Sequence, residues 1–383
     1  MESYNLCIIK PNADAFSETF IKEHIKRLSG NKKVLYGGAF PLYDDEGQYL
    51  IKSKLGLLSY IIQKRILKRK DIKVRTRALV NYLKQNQIDI VFTEYGMVGA
   101  MVTEACSLAD VPLVVHFHGA DVYHKGTVKG YYDLYKKAFS YGSAFIAVSS
   151  EMVTDLHSLG APSDRIHNVP CGVDTNFFSL IDINASSRTF LSVGRFVEKK
   201  SPASVVQAFN IVQERYPDSR LIMVGQGPLF ESTRELILKL NLQDKIILKG
   251  VLGSAEIREL MEQSICFVQH SVTALNGDKE GTPVTIMEAG ASGLTVISTC
   301  HSGIKDAVED GRSGFLVDEY DIEAMGARMI EILENPALAV KMGGEGRKHI
   351  MEYYNVVKQV EKLDQIIQNS LIEHRAVKGK RFK

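Results

Sequence analysis

The sequence predicts an α/β protein built from two doubly wound parallel sheets, each belonging to a Rossmann-like domain. Short apolar runs rich in Val and Ile recur along the chain, amphipathic stretches separate them, and the series pauses once near the middle. Strands that alternate with helices form parallel sheets, because a parallel pair needs a crossover connection. The runs are apolar nearly throughout, which indicates that helices cover both faces of each sheet.

The predicted strands fall into two groups. The first half contains NLCIIK, DIVFT, LVVHFHG and FIAVS, and the second half contains TFLSVG, RLIMVG, KIILKG, CFVQH and TVIST. Each run has the length and composition of a buried strand. Ligands of such sheets bind at the carboxyl ends of the strands, so we expect the functional residues in the loops that follow these runs.

The pause in the strand series gives the domain boundary. Residues 171–188 are polar and have no helical period, so we place the interdomain linker there. The prediction is an N-terminal Rossmann-like domain over 1–180 and a second over 181–355. The segment VVKQVEKLDQIIQNSLI predicts a C-terminal helix within 356–383 that packs back on the first domain, followed by a frayed basic tail, VKGKRFK.

Composition excludes several classes of protein. The 47 basic and 45 acidic residues leave a net charge of only +2, so no overall field indicates a nucleic-acid partner. The five cysteines are dispersed and include no CxxC pair, which favours buried thiols in a reducing compartment. The amino terminus has no basic signal-peptide region, and no apolar stretch reaches roughly 18 residues. We expect a cytoplasmic protein that at most lies on a membrane.

The segment EGTPVTIMEAG contains two glutamates around a predicted helix start. Thr282 is expected to be the N-cap and Pro283 the first helical residue, so the free N–H groups there form an anion site. Glu280 would lie in the loop and Glu288 inside the helix. This arrangement suits a nucleotide diphospho-sugar, with hydroxyls on the glutamates and the diphosphate at the helix end. On spacing alone a solvated loop acid and an ordinary helix glutamate are favoured, because paired glutamates around helices are common.

A second loop, GRFVEKKSP, follows the strand TFLSVG. Ser201 and Pro202 predict a helix start, which places Arg195 and Lys200 at a carboxyl-end loop. These cations could neutralise a departing diphosphate, although two solvated basic residues would give the same pattern. Lys199 is expected on the surface.

The segment HFHGADVYH concentrates histidines. His116, His118 and His124 together with Asp121 could form a metal cluster. Strand alternation places His116 and His118 on one side, and His116 is expected to be a satisfied core residue. Asp121 lies beyond Gly119, where a backbone carbonyl can approach a ligand. The sequence has no Asp-x-Asp pair, which could hold a divalent cation. VGQGPL lacks the third glycine of a dinucleotide fingerprint, and this disfavours a dehydrogenase.

A basic stretch stands out at residues 52–77. It contains ten Lys or Arg and one acid, with Leu55, Leu58, Ile62 and Ile66 at roughly helical spacing. This pattern is typical of an interfacial helix on an anionic membrane. A core-facing helix with a solvated basic face is the alternative.

The segment EGTPVTIMEA resembles the signature of glycosyltransferase family 4, in which two glutamates eight positions apart flank a glycine and a proline. The resemblance covers most of the chain, because four other segments occur in the same order as in that family: GVDTNFF, LSVGRFVEKK, VGQGPL and HSGIKDAVEDGRSGFLV. It implies a GT-B fold, with two Rossmann-like domains facing across a cleft, retention of the anomeric configuration, and no metal ion or other cofactor.

The resemblance also implies roles for single residues. Glu280 would bind the transferred sugar, Glu288 the ribose, and the pair Arg195 and Lys200 the leaving diphosphate, with His118 lining the sugar site. The expected catalytic residues are His118, Arg195, Lys200 and Glu280. The remaining donor-binding positions are Gly194, Gly225, Gly281, Thr282, Pro283 and Val284.

The acceptor side is predicted from two segments. HFHGADVYH resembles the HGxD loop of exopolysaccharide-building members, which implies that Asp121 faces the acceptor. PNADAFSETFI resembles the SETF loop of colanic-acid-type enzymes, which adds Ser17, Glu18 and Thr19, with Ser17 as a helix cap. The implied reaction moves a hexose from a UDP-linked donor to a lipid-diphosphate-linked cell-surface polysaccharide.

Two other functions fit the same pattern. One is a nucleotide-sugar epimerase or phosphorylase, which would convert the donor without an acceptor. The other is a catalytically silent nucleotide-sugar-binding subunit of a polysaccharide assembly complex. The presence of all four charged candidates, Arg195, Lys200, Glu280 and Glu288, disfavours the silent subunit.

Overall fold

The computed structural model describes residues 3–14, 18–69, 72–183 and 187–381. The chain divides into two compact units. Unit 1 comprises residues 1–169 and 360–383, and unit 2 comprises residues 170–359. Each unit is an α/β layer structure with its own sheet.

Unit 1 contains a seven-stranded sheet in the order β3-β2-β1-β4-β5-β6-β7. Its strands are Asn5–Ile9 (β1), Asn31–Tyr36 (β2), Tyr43–Asp44 (β3), Ile90–Glu94 (β4), Leu113–His116 (β5), Ala144–Ala147 (β6) and Ile166–Asn168 (β7). Its helices are Thr19–Arg27 (α1), Lys54–Ile61 (α2), Lys73–Gln85 (α3), Gly96–Ala109 (α4), Ala120–Tyr123 (α5), Lys125–Tyr141 (α6) and Ser150–Ser158 (α7). All neighbouring strands are parallel except β2 and β3.

Unit 2 contains a six-stranded, fully parallel sheet in the order β10-β9-β8-β11-β12-β13. Its strands are Thr189–Val193 (β8), Arg220–Val224 (β9), Ile246–Leu248 (β10), Cys266–Val268 (β11), Thr295–Thr299 (β12) and Gly314–Val317 (β13). Its helices are Pro202–Arg215 (α8), Phe230–Lys239 (α9), Ser254–Glu262 (α10), Val284–Ala291 (α11), Ile304–Ala307 (α12), Ile322–Glu334 (α13) and Pro336–Tyr353 (α14). A final helix, Val356–Arg381 (α15), leads into unit 1.

All nine predicted strands are confirmed, and the two sheets have the expected doubly wound form. The central strands β4, β5 and β6 are buried along their whole length because helices pack on both faces of the sheet. In each sheet the strand order reverses beside the first strand of that unit, β1 or β8. Ligands bind at such reversal points, so the loops after these strands and after β4 and β11 are the places to examine.

The segment that follows β7 belongs to unit 2. The N–H of Val173 donates to the carbonyl of Tyr354 (2.8 Å), and the N–H of Ile181 donates to the carbonyl of Ser292 (3.0 Å). These bonds hold the expected linker against α11 and α14. The boundary between the units therefore lies after residue 169, where the sequence placed it at 180.

The helix α15 leaves unit 2 near residue 360 and contacts unit 1. The hydroxyl of Tyr4 donates to Asp364 (3.3 Å), and Lys378 pairs with Asp110 (2.5 Å) near the end of the helix. The prediction of a frayed tail from residue 377 is wrong, because the helix continues to Arg381. The Lys378 pair contributes to holding that last turn.

Candidate active site

The loop after β8 has the expected helix start. Ser201 precedes α8 with a left-handed backbone (φ 34°), and Pro202 is the first helical residue. The hydroxyl of Ser201 does not cap the helix; it bonds to the hydroxyl of Ser204 at 2.7 Å. The N–H of Lys200 donates to the carbonyl of Val197 and that of Ser201 to the carbonyl of Glu198, both at 3.0 Å, so the chain turns tightly just before α8.

Two glycines let the loops after β8 and β9 approach each other. Gly225 has φ 138°, and a Cβ there would overlap the carbonyl oxygen of Gly194. Only glycine tolerates this backbone and this contact. A small cavity at the end of β8 is lined by Gly194, Arg195, Lys200 and Gln269, and Arg195 is exposed. The cavity therefore places two cations at a glycine-rich strand end.

Lys200 and Glu280 form a largely buried ion pair. The Lys200 Nζ lies 3.1 Å from Glu280 Oε2 and donates a further bond to Gln269 Oε1 at 3.1 Å. Burial raises the pKa of Glu280, but the charges of Lys200 and Lys199 outweigh it, so the net shift is downward. Burial lowers the pKa of Lys200, and Glu280 offsets part of that shift. The site thus holds a carboxylate against an ammonium.

One oxygen of Glu280 is left unsatisfied. Within the described ranges, Glu280 Oε1 is buried and has no hydrogen-bond partner. A buried acceptor without a donor costs about 1–3 kcal/mol, so native sites usually fill such a position with water or a ligand. A sugar hydroxyl is a donor of the required kind.

Lys199 is buried, which corrects the expectation of a surface residue. Its Nζ lies 3.1 Å from Asp278 Oδ1 and donates to the carbonyl of Lys279 at 3.0 Å. Lys199 therefore fixes the segment just before Glu280. The sequence does not indicate this burial, because three consecutive charged residues, Glu198, Lys199 and Lys200, are typical of a solvated loop.

His301 holds the backbone of Glu280 from the other side. The N–H of Glu280 donates to His301 Nε2 at 3.2 Å, so His301 must bear its proton on Nδ1. That Nδ1 lies 2.6 Å from Glu319 Oε1, and the N–H of Thr273 also donates to Glu319 (2.8 Å). Sequence reasoning did not single out His301, although its position directly after β12 at the carboxyl edge was a usable signal.

The helix α11 begins one residue later than predicted. Pro283 is the N-cap, since its ψ of 88° is not helical, and Val284 is the first helical residue. Thr282 and Gly281 lie in the turn before it. The prediction of Thr282 as N-cap is therefore wrong, but the free N–H groups still begin beside the Glu280 loop.

Glu288 lies inside α11 and is buried. Burial raises its pKa to about 8, well above the ordinary value of 4.5. A protonated carboxyl both donates and accepts hydrogen bonds, which matches the paired hydroxyls of a ribose. Its position on the same helix as the anion-binding end makes Glu288 a candidate nucleotide contact.

In unit 1 a buried glutamate connects two histidines. Glu94 ends β4 and is fully buried; its Oε1 lies 2.7 Å from His24 Nδ1 and its Oε2 lies 2.8 Å from His118 Nε2. Burial raises the pKa of Glu94, but His24 and His118 more than reverse this and keep it well below the usual range. Neither Glu94 nor His24 was predicted.

His116 is buried as expected but is not satisfied. In the part of the chain that the structure describes, neither of its ring nitrogens has a hydrogen-bond partner. Burial holds the pKa of His116 well below the ordinary value of 6.5, so the ring is neutral. The ring packs 5.3 Å from that of His24 and 4.2 Å from that of His118.

A metal ion could be considered at His24, Glu94 and His116, whose ligand atoms lie within 4.8 Å of one another. Ligands of a tetrahedral zinc with bonds of about 2.1 Å are roughly 3.4 Å apart. The 2.7 Å between His24 and Glu94 is instead a hydrogen-bond distance. His124 does not join the group, because it caps α6 by accepting the N–H of Thr127. The geometry fits a hydrogen-bonded network better than a metal site.

Asp121 organises the loop after β5. Its fully buried carboxylate accepts the N–H groups of Gly96 (2.8 Å), His118 (3.0 Å) and Gly119 (2.7 Å). These bonds fix the loop that carries His118 to the start of α4. The expected role of Asp121 toward the acceptor stays a prediction.

The predicted SETF loop is seen in part. Ser17 lies outside the described residues. Glu18 precedes α1, and its Oε1 accepts bonds from Asn12 (2.9 Å) and from the hydroxyl of Tyr95 (3.0 Å). Thr19 is the first residue of α1.

The basic stretch presents apolar side chains to solvent. Leu55 is 82% exposed and Ile66 71%, and Leu58 and Ile62 are also exposed. The core-facing alternative is therefore wrong for these four residues. The segment is the short helix α2 followed by a π-helical turn, Ile62–Ile66. Across the described ranges, the helices are too short or too polar to cross a bilayer.

The two units correspond to known protein families. Residues 58–177 match the family model described as Glycosyltransferase Family 4, and residues 174–349 match the one described as Glycosyl transferases group 1. Together the two models cover residues 58–349. Residues 58–177 therefore form a domain of the first of these families and residues 174–349 a domain of the second.

Curated relatives of this glycosyltransferase-family chain include bacterial polysaccharide proteins. WcaL of Escherichia coli, named for colanic acid biosynthesis, is 31% identical over 63% of this chain. AmsK of Erwinia amylovora, an amylovoran biosynthesis glycosyltransferase, is 28% identical over 70% of this chain and 67% of its own length. The match spans 61% of WcaL of Salmonella typhimurium and 60% of the Escherichia coli protein.

Solved structures agree with the fold. Anabaena HepE in complex with UDP superposes with a TM-score of 0.74 at 15% identity, covering 95% of this chain and all of HepE (100%). Sucrose-phosphate synthase of Thermosynechococcus elongatus gives 0.73 at 17% identity, over 96% of this chain and 98% of that one. These likenesses confirm the GT-B fold of the chain.

Proposed function

We propose that this protein is a retaining, metal-independent glycosyltransferase that moves a hexose from a UDP-linked donor to a lipid-linked cell-surface polysaccharide. The observation that carries the proposal is the buried pair of Lys200 and Glu280, with one Glu280 oxygen unsatisfied, beside the start of α11. A cation, a helix N-terminus and an unsatisfied buried acceptor close together support the binding of a diphospho-sugar.

Unit 2 would hold the donor. Arg195, Lys200 and the N-terminus of α11 neutralise the diphosphate, Glu280 binds the hydroxyls of the hexose, and Glu288 binds the ribose. HepE binds UDP with the same fold, which favours a uridine donor. The positive groups present in unit 2 match the charge of the diphosphate, so donor binding should not require a divalent ion.

The proposed chemistry is a front-face substitution. The bond between the anomeric carbon and the diphosphate oxygen breaks while the acceptor oxygen bonds to that carbon on the same face. The leaving oxygen takes the proton of the incoming hydroxyl, so no nucleophile from the enzyme is needed. Arg195 and Lys200 stabilise the charge that develops on the diphosphate, a contribution on the order of several kcal/mol.

The acceptor side is proposed for unit 1. A relative from Escherichia coli, 26% identical over 75% of this chain, is named for galactosyl transfer to a diphosphoundecaprenol-linked sugar. The exposed apolar residues of segment 54–67, with the basic residues around them, suit the surface on which such a lipid lies. The protein would then work on the cytoplasmic face of the plasma membrane.

The proposal is tested by turnover of UDP-hexoses with a lipid-diphosphate-linked sugar and excess chelator. The anomeric coupling constant of the product, read by NMR, should show the configuration of the donor. An inverted product, or activity only after adding a divalent ion, would contradict it. Conversion of donor without acceptor would indicate the epimerase or phosphorylase instead, and donor binding without turnover would indicate the silent subunit.

A further inference from the structure

We propose that Glu94 is a positioning residue that keeps the Nε2 of His118 protonated. The inference rests on the proposed function and on the expectation, from the family resemblance, that His118 lines the sugar site. Two members of the buried network lie outside the sequence motifs: His24 is on α1 and Glu94 is on β4.

The hydrogen bonds decide where the protons lie. A carboxylate has only acceptors, so each imidazole nitrogen that faces Glu94 must carry a proton. His24 therefore donates from Nδ1 at 2.7 Å and His118 donates from Nε2 at 2.8 Å. If His118 is neutral, its Nδ1 is then the nitrogen with the lone pair.

The carboxylate of Glu94 has no exposed surface, and its two oxygens are shared between the two rings: Oε1 faces His24 and Oε2 faces His118. The third ring, His116, has its Nδ1 3.6 Å from Oε2, which is beyond hydrogen-bond distance. Glu94 therefore has one acceptor oxygen for each of the two donors, and a buried acceptor of this kind needs its donor.

The groups around His118 hold its ring in place. Asp121 accepts the backbone N–H of His118, and the rings of Phe20 and Tyr95 lie 4.5 and 4.9 Å from the imidazole. The hydroxyl of Tyr95 donates a hydrogen bond to Glu18 at 3.0 Å. Backbone and ring contacts therefore hold the imidazole of His118 in place, and Glu94 determines which ring nitrogen carries the proton.

The direct test is NMR of the full chain with 15N-labelled histidine, which shows which ring nitrogen is protonated. Signals are assigned with His118→Asn and His24→Asn. We expect the Nε2 of His118 to carry a proton, as its hydrogen bond to Glu94 requires. A His118 protonated only on Nδ1 would overturn the proposal. This readout needs no turnover, so it stands or fails separately from the proposed function.

The second test is Glu94→Gln, which keeps the shape but removes the charge. Because the amide has only one acceptor oxygen, it can no longer accept from both rings; we expect the 15N signals of the histidines to change and transfer to fall roughly tenfold or more, as for a misplaced catalytic contact. UDP affinity should stay unchanged, because the donor residues lie in unit 2. Unchanged histidine signals in a folded Glu94→Gln would overturn the proposal. Glu104→Gln, an exposed glutamate on α4, is the matched control and should alter neither signals nor transfer.

Discussion

The ammonium of Lys200 lies 3.1 Å from the carboxylate of Glu280, and both side chains are largely buried at the carboxyl edge of the unit 2 sheet. The pair joins the loop after β8 to the loop before α11. In the proposed reaction the same cation faces the diphosphate and the same carboxylate faces the sugar. Donor binding therefore redistributes contacts that already exist.

Replacing Lys200 with Met should destabilise unit 2 as well as abolish transfer. It leaves Glu280 as a buried charge without its main partner, which costs about 3 kcal/mol. Chemical denaturation should show this loss, and the double variant Lys200→Met with Glu280→Gln should recover most of it. Equal losses in the single and double variants would mean that the pair is not coupled.

Arg195→Ala should weaken UDP binding without affecting stability, because Arg195 is exposed. Loss of a charge-assisted bond of about 1.5–3 kcal/mol predicts roughly a 10- to 100-fold higher Kd in calorimetry. Arg188→Ala is the control, since Arg188 pairs with Asp218 at the start of β8. If both variants bind UDP equally well, Arg195 does not contact the diphosphate.

Glu288 should make the stability of unit 2 depend on pH. Its pKa in the folded chain, about 8, exceeds the ordinary 4.5, so the folded state holds this proton more tightly. The resulting stability is complete below about pH 4.5 and is lost as the pH rises to about 8. Glu288→Gln should remove this dependence, seen as Tm curves that diverge across that interval. Glu323→Gln, on the exposed side of α13, should track the wild type.

The exposed apolar segment 54–67 should bind anionic membranes. Leu55→Glu with Ile66→Glu adds charge to two side chains that are 82% and 71% exposed, so folding should be unaffected. Sedimentation with vesicles containing anionic lipid should show loss of binding. Leu275→Glu, at an 89% exposed position of unit 2, is the control and should bind like the wild type. Equal sedimentation of all three proteins would exclude this surface.

Most strands that the sequence predicts are buried nearly throughout, as β4, β5 and β6 are, so their apolar residues are continuous. The edge strand β10 is predicted as well, because KIILKG is an apolar run although Ile247 is exposed. The strands β2, β3, β7 and β13 are not predicted. Only Leu35 is buried in β2, β3 has two residues and β7 three, so these strands leave too weak a pattern to distinguish them from loops.

Arg195 and Lys200 could be anticipated because they follow the predicted strand TFLSVG, and Glu280 and Glu288 because their segment resembles a family signature. The pairing of Glu94 with His24 could not be anticipated, because the two residues are 70 positions apart and meet only through the packing of α1 on the sheet. Lys199 was misjudged for a related reason. Its partner Asp278 is distant in sequence, so nothing local distinguishes it from a solvated lysine.

The most direct test of the central claim is calorimetric binding of UDP and other nucleoside diphosphates, with chelator present, to the wild type and to Glu288→Ala. We predict micromolar binding of UDP to the wild type, unchanged by chelator and lost in the variant. Absence of binding, binding only with a divalent ion, or equal binding to Glu288→Ala would contradict a metal-independent donor site in unit 2.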